Sequence, residues 1–326
     1  MDHVSFFICN AYGETIEASK ILELQKNNRK INIIFFNKGF ENDYANDSLL
    51  KSIVKYKKIN IIFLNNYISK IFITFFYIFF SKKIYISDDI YEHYSKFISL
   101  SCNFFIKKKI LFKHTASPYY SRNIYPLPRN FYRDFNSKVI IFNDHDYNFF
   151  KNCGYKNIKL IRSKKDIHEA TIKKIDSNLK FKNYILILSY RIHEVFSLAN
   201  KIAHYKDLFK ILKKTKIKEV YIKPHPSEKK SEIVRVLKYI NNGKINIHIS
   251  LENIHILSRY SKITIGFGTG GALIPFFEGR KSIIYYKNIS KYLKYHQVMN
   301  SYEPKKSGIK IFTNEKQLKN YFKILK

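Results

Sequence analysis

The chain has 326 residues, and its 59 Lys and Arg against 25 Asp and Glu give a formal net charge of +34. This length is too great for one ordinary small domain and suits two. The 45% hydrophobic content is enough for a sizeable core. The charge indicates attraction to anions, but the basic residues are mostly Lys in a chain crowded with Asn, Ile, Phe and Tyr. That bias is typical of an AT-rich genome, so the charge is weak evidence for nucleic-acid binding.

The cysteines exclude a disulfide framework and a cysteine metal site. Cys9, Cys102 and Cys153 are widely separated and odd in number, which fits a reducing, cytoplasmic compartment. The first residues lack the basic and apolar regions of a secretory signal. Residues 71–80 are strongly apolar, but a membrane span needs about 20 residues. We expect a buried helix there, with a membrane-docking element as the alternative.

The first half of the chain alternates strand patterns with helical ones. Its predicted strands are residues 4–9, 31–36, 59–64, 83–87, 139–142 and 158–161. Helical apolar spacing follows the first strand over residues 15–25, with Thr15 as a candidate cap. The strands are continuous apolar runs, which is typical of a parallel sheet covered on both faces.

Residues 163–183 are rich in Lys, Asp and Ser without sustained periodicity, and we place a linker there. The second half then begins a new alternating series. Its predicted strands are residues 184–188, 219–222, 245–249, 262–265 and 281–286, and its predicted helices are residues 194–215, 228–239, 251–260, 272–277 and 315–326. The sequence therefore predicts an α/β protein with two Rossmann-like domains, residues 1–163 and 184–326, facing a central cleft. The last helix is expected to pack back on the first domain.

One stretch of the second domain fixes a titratable side chain at a strand end. In Lys223-Pro224-His225-Pro226, each Pro pushes the preceding residue to extended geometry, so His225 is held on a stiff tip. Ser227 is a fair N-cap for the helix that follows. Ligands bind at the carboxyl ends of strands in open α/β sheets, so His225 is a candidate site residue. The competing interpretation is a turn with an exposed histidine.

A glycine-rich turn follows the strand at 262–265. Residues 266–271 read Gly-Phe-Gly-Thr-Gly-Gly in a chain with only 10 glycines. Glycines allow close backbone approach, and a helix N-terminus offers free N–H groups to an anion. We therefore favour a phosphate-binding turn made by Gly268, Thr269, Gly270 and Gly271 over a simple sharp turn. The pattern is neither a dinucleotide fingerprint nor a P-loop.

Two polar clusters in the first domain are weaker candidates. Asp88 and Asp89 close a predicted strand, and partial burial of such a pair raises the pKa of one carboxyl, which can then accept a proton from a hydroxyl. The alternative is a pair of N-cap residues. Residues 143–146, Asn-Asp-His-Asp, have no second cluster of complementary spacing. We expect a loop there and no metal site.

Together these motifs resemble the bacterial sialyltransferases of the GT-B fold, namely the lipooligosaccharide and capsule enzymes of glycosyltransferase family 52 and the polysialyltransferases. Those families carry an acidic motif in the first domain, a His-Pro motif in the second and a Ser/Thr-rich turn after it. Asp88-Asp89, Lys223-Pro224-His225-Pro226 and Gly268-Thr269-Gly270 take these places here. The chain departs from the pattern at Ile90, in place of a glycine, at Gly270, in place of a hydroxyl residue, and at Ser189, where a glycine is usual.

The resemblance implies inverting transfer of sialic acid from CMP-sialic acid to a hydroxyl, without a required metal or other cofactor. Asp89, or alternatively Asp88, would take the acceptor's proton, and His225 would protonate or hydrogen-bond the departing phosphate. The expected nucleotide-binding residues are Ser189, Lys223, Pro226, Gly268, Thr269, Gly270 and Gly271.

The expected partners are a nucleotide-sugar donor and a glycan or glycolipid acceptor of lipooligosaccharide or capsule. Peripheral contact with the inner face of an anionic membrane is a further expectation. The alternative within the fold is another GT-B transferase that uses a UDP-sugar or CDP-glycerol. The alternative from another class is a basic protein that binds nucleic acid or membrane. The basic residues are dispersed and no aromatic-basic RNA motif occurs, so we expect no nucleic-acid partner.

Overall fold

The structure is a computed structural model that describes residues 3–9, 12–26, 29–87, 93–112, 136–152, 154–161, 167–175, 183–190, 192, 196–226, 228–240, 243–267, 270–286 and 308–324. The chain divides into two compact units, Met1–Ile175 and Asp176–Lys326. The division falls inside the stretch that the sequence indicated as a linker.

The first unit is built on a parallel sheet. Its strands are β1 (His3–Ile8), β2 (Lys30–Phe35), β3 (Asn60–Phe63), β4 (Lys83–Ser87), β5 (Lys109–Phe112), β6 (Lys138–Ile141) and β7 (Ile158–Leu160). They lie in the order β3-β2-β1-β4-β5-β6-β7. The strand order reverses between β1 and β4, which are paired in parallel. The sequence patterns predicted all of these strands except β5, which is short and begins within a run of lysines.

The helices of this unit are α1 (Thr15–Glu23), α2 (Phe40–Ala45), α3 (Ser48–Lys57), α4 (Tyr67–Phe80), α5 (His93–Phe104), α6 (Asp144–Asn152) and α7 (Glu169–Lys174). The expected loop at residues 143–146 instead runs into the first turn of α6. The predicted linker also contains α7, because Thr171 and Ile172 are buried in the first unit. A single apolar turn is too short to show periodicity in a lysine-rich stretch.

Helix α4 corrects the expectation of a buried helix. Within its 14 residues only Thr74 and Ile78 are buried, while Phe72 is 72% exposed. An apolar composition on every side of a helix predicts burial, but it does not identify the protein core or the other apolar surroundings in which the helix is buried. Within the described ranges, no helix is long and apolar enough to cross a membrane.

The second unit repeats the same architecture. Its strands are β8 (Tyr184–Leu188), β9 (Glu219–Lys223), β10 (Asn246–Ile249), β11 (Ser261–Gly266), β12 (Ser282–Tyr285) and β13 (Lys310–Phe312). They lie in the order β10-β9-β8-β11-β12-β13, and all are parallel. The strand order reverses between β8 and β11, which is where ligands bind in open sheets of this kind.

The helices of the second unit are α8 (Leu198–Leu212), α9 (Lys230–Leu237), α10 (Ile254–Tyr260), α11 (Leu273–Phe277) and α12 (Glu315–Ile324). The last of these, α12, packs on α8, and its Leu318 and Phe322 belong to the core of the second unit. The C-terminal helix therefore completes the core of its own unit. Burial of each large apolar side chain there contributes roughly 1.5–3 kcal/mol.

Candidate active site in the second unit

Three strands end side by side at the carboxyl edge of the second sheet. Leu188, the last residue of β8, is in register with Lys223 on one side and with Gly266 on the other. The Ser189 N–H then donates to the Lys223 carbonyl at 2.9 Å. The expected site segments after β8, β9 and β11 therefore start from adjacent points of one edge, at the reversal of strand order.

His225 is fixed by a turn closed from both sides. Its backbone N–H donates to Oε2 of Glu228 at 3.1 Å, and the Glu228 N–H donates back to the His225 carbonyl at 2.8 Å. The imidazole meets the Tyr190 ring edge-on with 5.6 Å between the centroids. Pro224 is buried and Pro226 is exposed. The stiff tip predicted from the two prolines is therefore present, and the imidazole is half-buried on it.

Glu228 is the centre of a buried polar network. Its Oε1 accepts the Ser189 hydroxyl at 3.1 Å and pairs with the ammonium of Lys201, and neither charged side chain is exposed. Lys201 also donates to the Tyr190 carbonyl at 2.8 Å. The network joins the loops after β8 and β9 to helix α8, so it sets the position of His225 relative to Ser189.

The sequence interpretation placed Glu228 wrongly, at the start of a helix capped by Ser227. In the structure α9 begins at Lys230, with Lys229 at the N-cap position and no side-chain cap. Ser227 lies outside the described residues. The Glu228 carboxylate turns back to the strand end because an ammonium and two donors meet it there.

Lys201 was missed, although its spacing carried a signal. It is three residues after Leu198 and four before Tyr205, on the apolar side of α8, where a lysine must be paired. Burial lowers the pKa of the Lys201 ammonium to about 8. The Glu232 carboxylate opposes this shift, because an opposite charge favours the protonated form.

A second buried residue of α8, His204, lies under the glycine-rich turn. Its ring contacts that of Phe267, with 3.7 Å between the centroids, and also faces Tyr285 at 5.2 Å. Neither ring nitrogen has a hydrogen-bond partner among the described residues. Burial lowers the pKa of His204 to about 3. The imidazole is therefore neutral at pH 7 and acts as an aromatic support for Phe267.

The glycine-rich turn is partly described. Gly266 has a packing role, since an added Cβ would lie 2.6 Å from the Cβ of Ala272. A 3-10 turn, Gly270–Ala272, leads directly into α11, so the predicted strand-turn-helix context is present and contains Gly271. Gly268 and Thr269 lie outside the described residues, and their phosphate contacts stay a prediction.

Lys223 is directed to another loop. Its ammonium donates to the carbonyls of Leu251, at 3.2 Å, and Glu252, at 2.7 Å. The side chain thus ties the segment after β10 to the end of β9. The contacts of Lys223 explain its position without a phosphate.

The carboxyl edge of the first sheet carries its own polar cluster. The Cys9 N–H lies 3.0 Å from Oε2 of Glu14 and 2.9 Å from Oγ of Ser87, and it donates to both. Glu14 is buried there, and no sequence pattern indicates its burial beyond its place after β1. Asp88 and Asp89 follow Ser87 in the sequence, and they lie outside the described residues. Among the residues that the structure describes, no group of three or more His, Cys, Asp or Glu could hold a metal ion.

No protein-family model matches the sequence, and no curated protein matches it either. Solved structures match nearly the whole chain. S. aureus MnaA, solved with UDP, is 12% identical with a TM-score of 0.57 over 100% of this chain and 88% of that chain. Anabaena HepE, solved with UDP-glucose, is 12% identical with a TM-score of 0.56 over 99% of this chain and 89% of that chain.

A third solved structure is the E. coli heptosyltransferase WaaC with ADP-2-deoxy-2-fluoro heptose. It is 9% identical, with a TM-score of 0.52, and the match covers 99% of each chain. At these identities the similarity shows the fold alone. The chain is an α/β protein of the GT-B class, as the sequence predicted.

Proposed function

We propose that the protein is a glycosyltransferase that binds a nucleotide-activated sugar at the carboxyl edge of β8, β9 and β11. The observation that carries the proposal is the clamped imidazole of His225, held by Glu228 at the reversal of strand order. A histidine exposed on a simple turn would not require the buried network of the Glu228 carboxylate, the Lys201 ammonium and the Ser189 hydroxyl that holds the His225 backbone. Such preorganisation is typical of groups that stabilise charge in a transition state.

The reaction follows from the chemistry of the groups. The acceptor oxygen attacks the anomeric carbon and forms the glycosidic bond, while the bond from that carbon to the phosphate oxygen breaks. The electron pair of the broken bond leaves with the nucleotide, and His225 donates a hydrogen bond or a proton to that phosphate. Asp89, or Asp88 in its place, takes the proton of the acceptor hydroxyl. Preorganised donors to developing charge are worth about 3–4 kcal/mol each.

The nucleotide-binding group is narrower than the sequence alone indicated. Ser189 and Pro226 border His225 on the same edge, and the amides of residues 268–271 remain the proposed phosphate site. We assign no phosphate contact to Lys223, because its ammonium donates to two backbone carbonyls.

For the donor, the comparisons favour a UDP-sugar over CMP-sialic acid. Two of the three solved neighbours hold UDP or UDP-glucose. The sialyl interpretation is supported by the match at Lys223-Pro224-His225-Pro226 and the turn after it, while CDP-glycerol remains a further alternative. The proposed acceptor is a hydroxyl of a surface glycan or glycolipid. We also propose that the protein acts in the cytoplasm, and this part of the proposal rests on the donor being a nucleotide-activated sugar.

The decisive experiment is a donor panel. Purified protein is incubated with UDP-sugars, CMP-sialic acid and CDP-glycerol, with and without EDTA, and the released nucleotide is quantified. We expect release from one donor class, faster with an added glycan acceptor than without it. The proposal would be ruled out if calorimetry detected no nucleotide binding and no donor released its nucleotide.

Two variants test the assigned roles. His225→Ala and Asp89→Ala should each lower turnover by at least about a hundredfold, the low end of acid-base contributions. The control is His248→Gln, because His248 lies on β10 and is bonded to Glu219 at 2.7 Å, away from His225. A rate close to that of the wild type in either test variant removes that residue from the mechanism.

A further inference from the structure

The first unit carries a continuous apolar surface. Along α4, Phe72, Phe76, Phe79 and Phe80 are each more than half exposed. Their rings connect to the end of α5: Phe76 to Phe80 at 4.7 Å, Phe80 to Phe79 at 5.2 Å and Phe79 to Phe105 at 6.3 Å between centroids. We call this surface, with Phe104 and Ile106 after it, the aromatic face. Soluble surfaces seldom expose apolar groups in such a contiguous set.

Ile106 is placed at the tip of this face against its own backbone preference. It is 93% exposed and has a φ of 51°, in the left-handed region. The N–H of Lys107 donates to the Cys102 carbonyl at 2.8 Å and that of Ile106 to Asn103 at 3.1 Å, which is the helix ending that glycine favours. A β-branched apolar residue is unfavourable at this position for two reasons. Its side chain is exposed to water, and its backbone has a positive φ that β-branched residues rarely adopt. Its presence indicates a contact that compensates.

Lysines border the aromatic face in the part of the chain that the structure describes. Residues 60–87 and 93–112 contain seven Lys and no Asp or Glu. Lys107 stands over the Phe79 ring at 5.6 Å, and Lys82 and Lys108 are exposed. An open pocket beside them is lined by the cations Arg29, Lys82, Lys83, Lys108, Lys109 and Lys138. The surface therefore pairs an apolar centre with a basic margin.

We propose that this face docks the protein on an anionic lipid bilayer. The aromatic rings enter the interface between headgroups and acyl chains, and the lysines meet the phosphates of the anionic lipids. The charge pattern selects this occupant, because an apolar protein partner would need no cationic margin, and a second copy would bring lysines against lysines. Helix α4, with 14 residues, is too short to span a bilayer but long enough to lie in its surface.

Vesicle co-sedimentation of the full chain tests the proposal. We expect the protein to bind vesicles of phosphatidylcholine mixed with phosphatidylglycerol, to bind phosphatidylcholine alone at least about tenfold more weakly, and to dissociate as salt rises. Phe72→Ser/Phe76→Ser should lower binding at least about tenfold, whereas Tyr239→Ser, which changes an exposed aromatic of the second unit, should leave it unchanged.

The charged margin is tested with a matched pair. Lys82→Glu/Lys108→Glu should lower binding at least about tenfold, while Lys238→Glu/Lys281→Glu, the same charge change at exposed positions of the second unit, should lower it much less. Ile106→Gly separates binding from folding, because glycine relieves the left-handed backbone. This variant should unfold at a higher urea concentration and yet bind vesicles more weakly.

Two results would overturn the proposal. One is equal sedimentation with neutral and anionic vesicles, or with neither. The other is a wild-type dimer in analytical ultracentrifugation that Phe72→Ser/Phe76→Ser dissociates, since the face would then be covered by a second copy of the chain.

Discussion

Glu228 accepts the backbone N–H of His225 on one carboxylate oxygen, at 3.1 Å, and pairs with the buried ammonium of Lys201 on the other. The residue that fixes the candidate catalytic loop is thus itself held by a charge from the neighbouring helix. A buried ion pair of this kind adds little net stability when intact, but breaking it leaves an uncompensated charge.

The first prediction concerns the stability of this pair. Glu228→Gln should lower the free energy of unfolding by about 3–5 kcal/mol, because it leaves the Lys201 ammonium buried without a counter-charge. Lys201→Met/Glu228→Gln should recover most of that loss. Urea denaturation of Glu228→Gln, of Lys201→Met and of the double variant measures the coupling energy between the two side chains. Strictly additive effects would show that the two side chains act independently.

The second prediction concerns positioning and uses only variants that keep the fold. Lys201→Met/Glu228→Gln retains an amide oxygen for the His225 N–H, whereas Lys201→Met/Glu228→Met removes it. Under the proposed function, the Met/Met protein should have a kcat about ten- to a hundredfold lower than the Met/Gln protein, because a catalytic group displaced by about 1 Å loses that much. Equal kcat values at equal stability would mean that the carboxylate does not position the imidazole.

Sequence patterns alone could predict most of the fold. Parallel strands buried on both faces appear as continuous apolar runs, and β4 and β8 have the predicted bounds, residues 83–87 and 184–188. The reversal of strand order at β8 and β11 then follows from the topology of such sheets. His225 could also be placed correctly, because two prolines restrict the local backbone whatever the tertiary context.

The parts that sequence could not supply depend on tertiary contacts. Glu228 looks like a first helical residue until the ammonium of Lys201 is known to face it. The sequence of helix α4 resembles that of a core helix, because an apolar composition is shared by helices in the protein interior and by helices on an exposed apolar surface. Burial of Glu14 depends on its contact with the Cys9 amide, which no local pattern reports.

A third prediction follows from the buried imidazole of His204. Burial lowers its pKa to about 3, below the ordinary value of 6.5, so the unfolded chain binds the extra proton between these values. The free energy of unfolding should therefore decrease as the pH is lowered from about 6.5 towards 3, by about 1.4 kcal/mol per pH unit from this group alone.

Replacing the histidine should remove that dependence. Between pH 7 and about pH 5, His204→Leu should lose about 2 kcal/mol less stability than the wild type. His3→Gln, a change at a partly exposed strand end, serves as the control. Parallel stability profiles of wild type and His204→Leu would contradict the assignment of His204 as a buried neutral group.

A fourth prediction distinguishes a structural from a nucleotide-binding role for Lys223. Its ammonium donates to the carbonyls of Leu251 and Glu252, so Lys223→Met should lower the free energy of unfolding by about 1–2 kcal/mol. The KM for the donor should stay unchanged. Lys218→Met, an exposed lysine just before the same strand, should change neither quantity. A raised KM at unchanged stability would return Lys223 to the phosphate site.

The last prediction concerns the close approach at the start of the glycine-rich turn. A methyl group on Gly266 would lie 2.6 Å from the Cβ of Ala272, and the end of a buried strand cannot move away. Gly266→Ala should therefore cost about 1–3 kcal/mol of stability, as overpacking does. Gly266→Ala/Ala272→Gly exchanges the methyl group across the contact and should recover a large part of the loss, whereas Ala272→Gly alone should be mildly destabilising. Thermal unfolding of the three variants measures this. If the double variant were no more stable than Gly266→Ala, the glycine would be required for the backbone conformation of the turn and not for the space beside Ala272.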